Sequence, residues 1–446
     1  MKNRQLTTVL ILIFLTGGII RAQENSTELT LSLKEAQDYA LLNNKTVKSA
    51  KLTVEASQTD VWSAISSGLP QVTANASLTD NLKLGVFVMT LKDQATGINQ
   101  TMIITMGMTY SVPVSMTASM PLFNAPYYVG IETVKLAQKL SESNLQSTEI
   151  DTRQSVASAY YLILVSEESL RILKENLSNL QETLKSTKAM FNSGIAEATD
   201  VDQMASNVTM VGNSLSNLQN TIEINYSLLR LQLGVKYDVK IILNETLDDL
   251  VKEINVAALL AQEFNCEQNI QYDLFEKQER LSALNLKAKK AQVLPSLSGF
   301  YSATKSGMGN ELSGMNWYPS SLAGLQLSVP IFASGQRYSS IKKARIELER
   351  ARNTKEMVSD QLNMQNKQLR YNLVNANIQY NSQKDNIDVA KRVYISMENK
   401  FRQGMASSLD LTQANSLYLQ AENNYVSALM NLLQTKLALD KLMNNM

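Results

Sequence analysis

The chain carries one architectural unit twice, about 210 residues apart, and this duplication narrows the folds open to it more than any other feature. In the first half an alternating stretch opens at Leu69 and Pro70 and closes with Met120, Pro121, Leu122 and Phe123. A long helical pattern then runs to Phe191, Asn192, Ser193 and Gly194, with Asp200 six residues further on. The second half repeats these parts as Leu294 and Pro295, then Val329, Pro330, Ile331 and Phe332, then Phe401, Arg402, Gln403 and Gly404, and finally Asp410. The offsets are 225, 209, 210 and 210 residues, so the alternating inserts differ by 16 residues while the helical parts keep their length. Units of this size, mixing strands with helices of over 60 residues, are foreign to compact globular enzymes.

Residues 131–193 and 336–403 contain neither Gly nor Pro. At about 1.5 Å per residue each segment extends roughly 95–100 Å as a helix. Leu170, Leu173, Leu177, Leu180 and Leu184 step by three and four, the spacing of a coiled-coil seam. Leu411, Ala414, Tyr418, Ala421, Tyr425, Ala428, Leu432, Thr435, Leu439 and Leu442 keep the same rhythm. Gly194 and Gly404 stand where the left-handed residue past a helix end is expected, and Thr199 and Ser407 open returning helices. Two antiparallel helical hairpins result. At the amino-terminal side, Ser32 and Glu35 have the spacing of a capping box ahead of a helix running to about Ser67.

Between Leu69 and Phe123 the period changes to two. Val72, Ala74, Ala76 and Leu78 alternate with polar residues, and Met106, Met108, Tyr110, Val112, Val114, Met116, Ala118 and Met120 form one face of a single predicted strand. Its other face carries small hydroxyls and no charge, which suits a wall between lipid and water. A half-buried strand of a soluble sheet has the same pattern. Pro113 favours an edge or a bulge. The second copy offers strands at 297–304 and 323–329, with a Gly-bearing loop expected over 305–322. Trp317 and Tyr318 in that loop are either interfacial anchors or plain packing.

Lys2 and Arg4, an apolar run over 6–20, and Ala22 read as a secretory signal over 1–22. Removing it takes away Lys2, Arg4 and Arg21 and no acid, so the net charge of +1 becomes −2. A nearly neutral surface gives no reason to expect nucleic acid as a partner. There is no histidine, and Cys266 is alone. Ser-His and Cys-His nucleophile pairs are therefore excluded, the usual zinc ligand sets cannot be assembled, and an internal disulfide is impossible. Only carboxylate chemistry is left, and the acids are scattered along helices without a pocket-forming fold. Neither catalysis nor a cofactor is expected.

Hydrocarbon tolerates no open sheet edge, and spanning barrels begin at eight strands. Four strands per chain thus require several chains to share one barrel, if the strands are membrane strands. The order helix, Leu-Pro, strand pair, Pro-(Leu/Ile)-Phe, long helix, Phe-x-x-Gly, Asp and returning helix, present twice, resembles the TolC family of outer-membrane efflux proteins, as do Ala159, Tyr160 and Tyr161 in the first long helix.

The resemblance covers essentially the whole chain after residue 22. It implies an α+β membrane protein with a first repeat over 23–250 (strand pair 72–120) and a second over 251–446 (strand pair 297–329). It further implies a homotrimer in which four strands per chain make a twelve-stranded barrel in outer-membrane lipid. That barrel continues into a long periplasmic α-helical barrel. The expected role is an exit duct working with a periplasmic adaptor protein and an inner-membrane pump of RND or ABC type. Gly194 and Gly404 fall at the adaptor-docking tips. Asp410 and its counterpart Asp200 match acidic positions that narrow the tip, although a plain helix-capping role fits both. The chain departs from the family pattern at Gln413, where some members place a second acid, and at Ala406, where some place a closing arginine. A secreted periplasmic coiled-coil protein without a barrel is the rival reading, and the alternation over 106–120 argues against it.

Overall fold

The computed structural model describes residues 28–92, 99–252 and 254–446, so the expected signal segment 1–22 lies outside the described residues. Strand β1 (Glu28–Leu31) leads into α1 (Leu33–Asn43) and α2 (Lys45–Ser66). The Ser32 and Glu35 box forms as expected, with Glu35 accepting from the Ser32 backbone N–H at 2.8 Å. The helix expected to run unbroken to Ser67 is instead interrupted at Asn44. Its side chain accepts from the amides of Thr46 and Val47 and so begins α2 itself. A polar residue able to bond its own following amides competes with the helix ladder.

Strands β2 (Gln71–Ala76), β3 (Thr79–Asp80), β4 (Gly85–Lys92), β5 (Asn99–Met106) and β6 (Tyr110–Phe123) follow. Next come α3 (Ala125–Asn192), α4 (Ala198–Leu233), β7 (Lys240–Leu243), α5 (Leu247–Lys252), α6 (Val256–Ala261) and α7 (Ile270–Ala291). Strands β8 (Ser296–Gly309) and β9 (Asn316–Ser328) and helices α8 (Gln336–Arg402) and α9 (Ser408–Leu442) complete the chain. The helical pairs match closely, at 68 and 36 residues against 67 and 35.

The main sheet has the order β2-β6-β8-β9, all antiparallel, with β3 also pairing β6. Register aligns the alternating residues of different strands on one face. Ala74, Met116 and Ala303 lie in one row, and Val72, Ala118, Tyr301 and Ala323 lie in another. Small hydroxyls share the opposite face, where Thr117 and Ser302 are 3.0 Å apart. All four helical connections leave one end of this sheet. The other end holds β4, β5 and the short β8–β9 turn.

Three strand expectations need correction. The single strand over 106–120 is two, because Gly107 takes φ +102° and separates β5 from β6. Residue-type alternation carries no trace of one reversed dihedral. The loop expected over 305–322 is mostly strand, with pairing that continues to Met308 and Asn316. Gly307 is there because Trp317 lies across from it, and a Cβ at Gly307 would meet that ring at 3.1 Å. A cross-strand aromatic over glycine is a device of sheets, not of loops. Pro113, expected at an edge or bulge, sits in the central strand β6. Its carbonyl accepts from Ser77 at 3.2 Å, so its missing N–H faces the gap between β2 and β3, where pairing is already interrupted.

Asn124 accepts from Tyr127 at 3.3 Å and Pro126 stands in the first turn, which fixes the start of α3. The main core lies midway along the helices, where Tyr160 and Ile163 of α3 meet Leu229 of α4, Leu373 of α8 and Leu432 of α9. The seam predicted along α9 is observed, with every member buried except Tyr425, which is half-buried. The leucine seam predicted along α3 is displaced. Within this chain Ile172, Asn176, Leu180, Thr183 and Thr187 are the buried line, and Leu170, Leu173, Leu177 and Leu184 are half-buried.

Candidate functional site

Both hairpins turn in the same way. At the first tip Gly194 (φ +77°) follows α3, and the Ile195 amide donates to the Met190 carbonyl at 2.9 Å. At the second, Gly404 (φ +72°) follows α8, and the Met405 amide donates to Lys400 at 2.8 Å. These six-to-one bonds satisfy carbonyls that a helix end otherwise leaves open.

Asp200 and Asp410 each occupy the third position of a returning helix. Asp410 accepts from the Ser407 amide at 3.0 Å and hydroxyl at 2.7 Å, and the Asp410 amide donates back to that hydroxyl at 3.2 Å. Asp200 accepts from the Glu197 amide at 2.9 Å, so the cap of α4 is Glu197, two residues before the expected Thr199. Hydrogen bonds to the ionised form hold both carboxyls below their ordinary values. The Ser408 hydroxyl is the leading cause for Asp200 and the Ser407 hydroxyl for Asp410. The Ser408 hydroxyl donates to Asp200 across the two hairpins. The dipeptide Ser407–Ser408 thereby gathers both acids at one end of the bundle. Asp410 is exposed, Asp200 half-buried, and Gln413 exposed one turn further along α9.

Behind the tips a line of polar contacts ties the hairpins together. Asn207 donates to Thr412 at 2.8 Å, and Asn176 donates to Asn415 at 2.8 Å. Arg402 bridges Glu398 of its own helix at 2.8 Å and Glu182 of α3 at 3.3 Å, while Thr183 donates to Glu398 at 3.3 Å. Lys391 pairs with Glu175 at 3.0 Å. Deeper still, the Glu422 carboxyl accepts from Ser169 at 2.9 Å, and its burial pushes its pKa up to about 7 against the Ser169 hydrogen bond. A small apolar cluster of Ile172, Met204, Tyr394, Phe401, Leu411 and Tyr418 fills the space between, with Tyr394 and Tyr418 stacked at 5.7 Å. Ala406 packs against this cluster.

The sequence reading found the turns and the two acids. It missed Arg402, Glu398, Glu422 and the Asn176–Asn415 pair. The four-residue spacing of Glu398 and Arg402 was a usable signal. The others face partners on remote helices, which no local pattern displays.

The arrangement ties the two hairpins together near their tips and gathers acidic side chains there. The family model described as outer membrane efflux protein matches residues 37–235 and 274–445 of the chain. No curated protein sequence matches it. Among solved structures, the outer membrane protein VceC from Vibrio cholerae is 14% identical, covers 92% of this chain and 95% of its own, and superposes with a TM-score of 0.70. The CmeC outer membrane channel of Campylobacter jejuni is 17% identical, with coverage of 92% and 85% and a TM-score of 0.68. The open state of the Neisseria gonorrhoeae MtrE outer membrane channel is also 17% identical, with coverage of 92% and 88% and a TM-score of 0.66.

Proposed function

This chain belongs to the outer membrane efflux protein family, and from that premise we propose that it is the passive exit duct of a tripartite efflux or secretion system. It is an outer-membrane protein that extends into the periplasm, and it is not an enzyme. The observation that carries the finer reading is the main sheet. Its register puts Val72, Met116, Ala118, Tyr301 and Leu325 on one face, with Lys305 among them toward the end remote from the helices, and among the described residues β2 and β9 leave an unpaired edge on each side. Hydrocarbon would leave those edges unsatisfied, so copies of the chain must close the sheet. Three chains of four strands give a twelve-stranded barrel. Since all the long helices leave one end of the sheet, they continue it as a periplasmic tunnel.

In this reading the tips at Gly194 and Gly404 meet the adaptor, and an inner-membrane pump of RND or ABC type supplies the energy. Asp410 lines the narrowest part of the tunnel, with Gln413 beside it, while Asp200 serves chiefly to join the hairpins through Ser408. Opening is a repacking of helices at the tip, in which the polar bridges exchange partners. The test is a deletion strain with no other duct of this family. It should accumulate pump substrates and lose resistance or secretion, and unchanged export would refute the proposal.

A further inference from the structure

The hairpin of β4 and β5 is not part of the main sheet, and the duct reading does not use it. Register places Phe87 opposite Ile104 and Met89 opposite Met102, with Leu91 and Met106 on the same face. These six are apolar, and Gln100, opposite Leu91, stands at the far end of the same face. Val86, Val88 and Ile103 share the other face with Thr90, Thr101, Thr105, Asn99 and Lys92. Phe87 is 53% exposed, Leu91 47%, Met102 50% and Met106 60%. Six such side chains present on the order of 500 Å² of apolar surface, as much as the largest patch a soluble monomer normally shows. A lone two-stranded sheet is also marginally stable in water.

The hairpin's base is fixed to the end of the main sheet remote from the helices. Asn81 donates from its backbone to Thr109 at 2.8 Å and from its side chain to Met108 at 2.9 Å, and Thr109 donates in turn to Asn310 at 3.3 Å. β6 and β8 are 14 residues long, more than the 9–11 a tilted strand needs to cross hydrocarbon. The hairpin therefore begins beyond the outer rim of the membrane. Lys92, at the far end on the other face, is the one charged residue in the two strands, so the face bearing Phe87, Met89 and Leu91 has no charge to hold a charged, hydrated membrane surface. It also leaves the sheet next to β3, on the edge side where the next copy must pair.

We infer that the apolar face of the β4–β5 hairpin is an interface between copies of this chain, with three hairpins packed together at the outer mouth of the barrel. The inference rests on the three-chain reading above.

Full-length protein with Cys266→Ser, reconstituted in phosphatidylcholine vesicles, tests it through single cysteines at Phe87→Cys, Met89→Cys and Leu91→Cys on the apolar face and Val88→Cys on the other. A short bis-maleimide should link chains several-fold more at 87, 89 and 91 than at 88. Equal or absent linking, with light scattering showing an intact trimer, overturns this inference and leaves the duct reading standing. A nitroxide at the same three positions that is relaxed by bilayer oxygen and not by a water-soluble nickel chelate identifies lipid as the cover and also overturns it. A protein that is not trimeric overturns both readings.

Discussion

Phe191 and Phe401 stand in matching places, three residues before the turning glycines, yet Phe191 is 45% exposed and Phe401 is 6% exposed. The surroundings differ in the same sense. Arg402 bridges to the first hairpin, whereas its counterpart is Asn192. Where α9 buries Glu422 against α3, α4 has Gly212, and a Cβ placed there would meet nothing within 4 Å. One turn geometry thus serves two roles. The second hairpin is held into the bundle by packing and charge, and the first leaves its tip accessible.

The strongest test of this asymmetry uses pH. Glu422 has a folded value near 7 against an ordinary 4.5, so its protonated form favours the fold. That contribution is complete below about 4.5 and is lost as pH rises through 7. Glu422→Gln should leave thermal stability unchanged at pH 4 and raise it at pH 8 by on the order of 2–3 kcal/mol per chain. No pH-dependent difference between the two proteins would refute the assignment.

Arg402→Ala should loosen the second tip by about 2 kcal/mol, a figure reduced from that of a fully buried pair because the arginine is a third exposed. Hydrogen exchange along α8 would report it, and Asn192→Ala, the matching change in the first hairpin, should do almost nothing.

Gly194→Ala and Gly404→Ala probe what the tips share. Each forces a side chain into the left-handed region, at about 1–2 kcal/mol, and the two losses in melting should agree. Unequal losses would show that the turns are not equivalent.

The smallest stability effects are expected at the acids. Asp200→Asn should weaken the link to Ser408 by about 1 kcal/mol, whereas Asp410→Asn should change ion selectivity in bilayer recordings more than stability. Because both carboxyls lie below their ordinary value of 3.8, their capping contributions persist at neutral pH and fade only as pH drops below it.

Much of this was legible beforehand, for reasons that can be named. Gly194, Gly404, the Ser32–Glu35 box and the seam from Leu411 to Leu442 each depend on local spacing, and the structure has them where spacing placed them. What escaped depended on a remote partner or a single dihedral. Asn176 and Thr183 are buried along α3 because Asn415 and Glu398 come from other helices to meet them. Gly307 has the local composition of a loop, and only the Trp317 ring across from it makes it a strand residue. Of the candidate site, the turning glycines and acids could be read, and the bridges between hairpins could not.

The pairing of β1 with β7 sets an order of events. Glu28 to Leu31 pair with Lys240 to Leu243 in parallel register, and the Leu33 amide donates to Glu245 at 2.8 Å. A chain delivered amino end first therefore holds its leading strand without a partner until some 210 further residues have arrived. Closing so long a loop is slow, so the first hairpin has time to fold before β1 is captured. The strand pair acts as a late fastening, made only once the unit it encloses is complete.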